Sequence, residues 1–153
     1  MNADDRRWIS SILFSEDIEN IKEEIRKIDE PLILHTIAGN YNWNDGYEIP
    51  EEIVNNDYCD LGTALLIFFD ADGYTLLGAE EVLNPPTVWV KFLMRLYNRI
   101  ANKNFRYTSI AYLPPIPKAL ENKIRMNNPN IPEVFFVRSP GIVLEMPRLH
   151  HRR

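Results

Sequence analysis

Ile18, Ile21, Ile25 and Ile28 recur at spacings of three, four and three, with Glu and Lys filling most of the positions between them. A half-buried strand needs alternation at every second residue, whereas an α-helix at 3.6 residues per turn gathers these four on one face. The same three-and-four rhythm returns in Trp8, Ile9, Ile12 and Leu13, in Leu61, Ala64, Leu65 and Phe68, in Trp89, Leu93, Leu96 and Ile100, and in Ile116, Leu120 and Ile124. Each apolar block is short and most are bounded by proline or by Asn, Asp and Gly. The chain is therefore predicted to be mainly α, a compact multi-helix domain. At 153 residues it reads as one single helical domain, 1–153, with a frayed tail over 148–153. A chain of this length buries roughly two thirds of its unfolded surface.

Boundary signals refine the picture. A first helix is predicted over 4–14. Ser15 reads as the N-cap of the next, with Glu16 and Asp17 placed against the helix dipole. Pro31 fits the first turn of a third helix, and the run from Gly39 to Gly46, GNYNWNDG, is a loop by composition. Pro50 opens a short helix through Asn56, Asp60 caps another, and Asp72-Gly73 ends it. Pro85-Pro86 precedes a long helix over 87–103. Residues 106–113 alternate loosely, as a strand would. VFFVR and IVLEM flank Ser139-Pro140-Gly141 in the manner of a small C-terminal β-hairpin, so an α+β arrangement is the alternative.

Charge is segregated. Residues 28–90 hold twelve acids and no lysine or arginine, whereas residues 91–153 hold twelve bases and three acids; the whole chain is −5. Either the two parts neutralise each other or the middle presents a negative face to a positive partner. No apolar run is long enough to cross a membrane, and MNADDRRWISS has acids where the basic region of a signal peptide would stand. The lone Cys59 forms no internal disulfide, so a reducing, cytoplasmic setting is expected.

Several groups could carry chemistry. Cys59 could be a thiolate nucleophile at the head of the Asp60 helix with His35 as base, but a lone Cys before a helix is more often a small buried hydrophobe. Asn40, Asn42, Asn44 and Glu51 imitate a calcium loop. Gly46 falls one residue late for that loop, and three neutral amides supply too little charge, so a turn bonding its own backbone is the better reading. Asp70 and Asp72 form a D-x-D pair at a helix C-terminus, where carboxylates are electrostatically unfavourable and a partner would account for them. Lys91, Arg95, Arg99, Lys103 and Arg106, near Tyr97, Phe105 and Tyr107, could track phosphates, but the acidic total argues against nucleic acid. No metal or other cofactor is expected.

Asn40-Tyr41-Asn42-Trp43-Asn44-Asp45-Gly46, Ile49-Pro50, Cys59-Asp60-Leu61-Gly62-Thr63-Ala64-Leu65 and Ala71-Asp72-Gly73 together resemble a bacterial family of domains of unknown function, family 4274. The resemblance implies a domain of unassigned activity and carries no catalytic residue. Asn44 stands where the family pattern has an acid, which argues against a metal or acid–base role for this loop.

The functional expectation is an acidic intracellular protein-binding module of the immunity (antitoxin) kind. It would neutralise a basic toxin such as a nuclease through Asp45, Glu48, Glu51, Glu52, Asp70 and Asp72. The competing readings are an enzyme with a site around Trp43, Asp45, Cys59, Asp60 and Asp72, and a helical scaffold.

Overall fold

The computed structural model describes residues 1–78, 87–147 and 149. Its helices are α1 (Ala3–Leu13), α2 (Ile18–Arg26), α3 (Pro31–Asn40), α4 (Glu48–Asn55), α5 (Leu61–Asp70), α6 (Tyr74–Gly78), α7 (Val88–Ala101) and α8 (Lys118–Asn127). Short 3₁₀ turns lie at Trp43–Asp45 and Glu133–Phe135. The protein is mainly α. The proline pair 85–86 and, apart from Leu149, the tail 148–153 lie outside the described residues.

The most apolar helix, α5, is buried along nearly its whole length and packs against α3 and α7. Around this centre α1 packs on α3, and α2 on α4. The stripe Ile21, Ile25 and Ile28 enters the core, as do Ile9 and Ile12 of α1. On α7 the buried set is Phe92, Leu93, Leu96 and Ile100, while Trp89 is only half-buried.

Local chemistry moved several boundaries. The N-cap of α2 is Asp17, whose carboxylate accepts from the Asn20 N–H. The Ser15 hydroxyl accepts from the Asp17 N–H instead, a local turn that leaves the capping position to the acid. Helix α3 runs through Gly39 to Asn40, because Met146 packs onto the bare face of that glycine: a Cβ there would lie 2.4 Å from Met146 Cε. Helix α4 starts at Glu48, so Pro50 falls inside its first turn, where a missing N–H costs nothing.

The hairpin at 139–141 does not form. Pro140 and Gly141, with φ of +112°, turn the chain so that Ile142 lies parallel to Ile110, through Ile142 N–H to Ser109 O at 2.9 Å and Ala111 N–H to Ile142 O at 3.0 Å. VFF meanwhile becomes a 3₁₀ turn that buries Val134 and Phe135. Residues 106–113 form no named strand. They run extended beside α5, with an isolated parallel bridge from Tyr107 to Asp60 and Tyr112 stacked on Phe69.

Helix α5 ends at Asp70, with Asp72-Gly73 closing it. Asp72, not Gly73, takes the left-handed backbone, with φ of 61°. Its N–H donates to Phe69 O at 3.1 Å and that of Gly73 to Phe68 O at 2.8 Å, the paired bonds of a Schellman ending. Gly73 is needed for space instead, since a Cβ would fall 2.5 Å from Phe68 O. An aspartate at this backbone position, on the negative end of a helix, is a poor choice for stability. Asp72→Gly is expected to raise the unfolding free energy by about 1 kcal/mol in urea titration.

Candidate functional site

The CDLGTAL run builds a buried joint. Asp60 has no exposed surface, caps α5 by accepting from the Gly62 N–H at 2.8 Å, and reaches across to the 107–112 segment. There its carboxylate accepts from the Ser109 N–H at 2.6 Å, the Ser109 hydroxyl at 3.0 Å and the Ile110 N–H at 3.2 Å. Gly62 is a glycine because the Ile110 carbonyl passes over it: a Cβ would lie 1.9 Å from that oxygen. Thr63, fully buried, meets His35 Nδ1 through its hydroxyl at 2.9 Å. Burial pushes the His35 imidazole down to about 4, against the opposing pull of the Asp60 charge.

Cys59 is fully buried, and burial pushes its thiol up to about 12. A thiol held neutral and away from solvent is a packing group, since the thiolate is the reactive form. Asp60 and Asp72 sit beyond opposite ends of α5, whose ten residues span about 15 Å at 1.5 Å per residue. The residues named for a catalytic centre are therefore divided between two ends of one helix. Among the described residues there is no group of three or more His, Cys, Asp or Glu placed to hold a metal ion, and no helix long and apolar enough to cross a membrane.

At the other end of α5 lies an aromatic junction. Trp43, three residues past α3, packs edge-on against Tyr41 at 5.3 Å and Trp89 at 5.9 Å between ring centroids. The Trp89 indole N–H donates to Ala71 O, just past α5. Through this contact the C-terminal ends of α3 and α5 come to the same end of the molecule. The Asn42 side chain accepts from the Asn44 N–H, which turns the loop and holds Asp45 at the surface. Asp70 and Asp72 stand at the end of α5, and partial burial, then the Asp72 charge, push the Asp70 carboxyl up to about 6.

The six acids expected to meet a partner divide into two groups. Glu48 pairs with Lys22, Glu51 with Arg95 and Glu52 with Arg26, so bases from outside the acidic segment match them. Asp45, Asp70 and Asp72 have no ion pair among the described residues. Two members of the basic stripe of α7 are engaged inside the chain: Arg95 meets Glu51, and Arg99 donates to the carbonyls of Val54 and Asn104 and covers the Phe105 ring. Arg106 lies over Tyr58 and Tyr107.

Sequence reasoning placed Asn40 in a turn and missed its long-range role. Its amide nitrogen donates to Thr36 O and Pro147 O, and its amide oxygen accepts from the Leu149 N–H, which fastens the C-terminal strap onto α3. Nothing in local spacing announces a contact across more than a hundred residues.

These features define a mainly helical domain whose distinctive residues build a buried joint at one end of a central helix and an aromatic, acid-rimmed junction at the other. Residues 29–101 match the family model described as Domain of unknown function (DUF4274). The match ends with α7, so the Ser109 and Ile110 donors to Asp60 come from beyond it. No curated protein and no solved structure matches the chain.

Proposed function

We propose that this protein is an intracellular binding module of the immunity kind, which covers the basic surface of a toxin such as a nuclease with the acidic end around Asp45, Asp70 and Asp72. One observation carries this reading: α3 and α5 end together, and the three carboxylates at that end have no ion pair among the described residues, whereas Glu48, Glu51 and Glu52 have theirs. Each helix C-terminus already carries about half a negative charge. Carboxylates added there repel the helix, and the Asp72 charge adds to the burial that raises the Asp70 carboxyl. Holding Asp72 in left-handed backbone adds strain. A cationic partner relieves both repulsions, and complementary charge speeds the encounter.

The test is kinetic. A partner captured from the native host is measured for association rate across ionic strength, with wild-type protein and with Asp45→Lys, Asp70→Lys and Asp72→Lys. The association rate is expected to fall steeply with salt and by roughly tenfold in the combined variant. Asp57→Lys, an exposed acid before the opposite end of α5, should leave it nearly unchanged. An association rate indifferent to salt and to these reversals would overturn the proposal.

A further inference from the structure

A concavity lies between α6, α7 and the turn that follows α8. It encloses about 530 Å³, within the roughly 300–1,000 Å³ of small-molecule sites. Its floor is apolar: Leu77, Met94, Tyr97 and Ile131. Its rim carries the exposed side chains of Asn98, Asn127 and Asn130, none hydrogen-bonded within the described chain. Among the described residues no charged side chain lines it, in a protein of which 25% is charged.

The walls are set in advance. Tyr97 stacks on buried Phe135 at 4.7 Å, which fixes its ring. The Asn128 amide donates to Leu77 O at 2.7 Å, which ties the turn to α6. A preformed site loses little freedom when it is filled.

We propose that this cleft binds a small uncharged molecule carrying an amide-like edge beside an apolar or aromatic face. A carboxamide offers two donors and an acceptor side by side, so its complement is a group that also donates and accepts. A charged ligand would lose hydration here with no opposite charge to replace it. Two sources share this chemistry: free nucleobases and N-acetylated sugars.

The experiment titrates isotope-labelled full-length protein with uracil, with N-acetylglucosamine, and with orotate, the carboxylate-bearing relative of uracil, while amide signals are followed by NMR. One of the two neutral probes is expected to shift the Asn98, Asn127 and Asn130 side-chain signals together with the Leu77 and Ile131 backbone, and the responding probe names the source. Combined Asn98→Ala, Asn127→Ala and Asn130→Ala should weaken that probe by roughly tenfold while core signals stay in place, because all three residues are exposed. Silence from both neutral probes, a response that survives the triple variant, or orotate binding as well as uracil would each overturn the assignment.

Discussion

Replacing Asp60 with alanine is expected to lower the unfolding free energy by about 4 kcal/mol, read by urea titration of tryptophan fluorescence. The carboxylate is the meeting point of four donors: the N–H groups of Gly62, Ser109 and Ile110, and the Ser109 hydroxyl. Alanine leaves these groups facing a void, and the N–H groups of Gly62 and Ile110 are buried too deeply for water to replace it. Asparagine has nearly the same shape but must turn an NH₂ toward at least one donor, so Asp60→Asn should still lose about 2 kcal/mol. A loss in Asp60→Ala below about 1 kcal/mol would mean that other contacts hold the 107–112 segment on α5. Because Asp60 has no exposed surface, this role accounts for it without contact with any ligand.

The second large effect is acid sensitivity through His35. The ordinary value of 6.5 falls to about 4 in the folded protein, because burial beside Thr63 disfavours the imidazolium more than the Asp60 charge favours it. Below pH 6.5 the unfolded chain takes up a proton that the folded chain refuses. Stability from this group is therefore complete above pH 6.5, is lost progressively down to pH 4, and is flat below, for a total of about 3 kcal/mol. Asp70 acts in the opposite direction over nearly the same window. Its folded value of about 6 lies above the ordinary 3.8, so the folded state gains a proton first and stability rises as pH falls through that range. The clean measurement is the difference between wild type and His35→Gln across pH, in which Asp70 cancels. A difference that does not change between pH 7 and pH 4 would remove His35 as the cause.

Both effects involve the CDLGTAL run, through Asp60 within it and through His35 packed on its Thr63, and the run stands out in the sequence but says nothing there about why. The capping role of Asp60 was legible, because a short acidic side chain before an apolar helical run satisfies that helix's own N–H groups. The donors from Ser109 and Ile110, and the carbonyl that passes over Gly62, belong to a segment nearly fifty residues away. The charge pattern divides in the same way. The acidic middle is plain in the residue list, yet which acids face Lys22, Arg26 and Arg95 and which remain unmatched depends on how the helices dock.

The sequence by itself determined the helices and their inward faces. The isoleucines of α2 and the Leu93, Leu96 and Ile100 of α7 are set by a period that any amphipathic helix must obey. Its errors fell where a distant segment overrode local preference. Met146 packs onto Gly39 inside α3, Asp72 rather than Gly73 takes the left-handed backbone, and Ile142 pairs with Ile110 instead of folding back on Val137. Only the tertiary structure decided that Asn40 holds the C-terminal strap and that Trp43 and Trp89 bring the ends of α3 and α5 together. Periodicity acts over four residues, whereas these contacts are chosen by shape and unpaired polar groups on surfaces that meet only after the helices have packed.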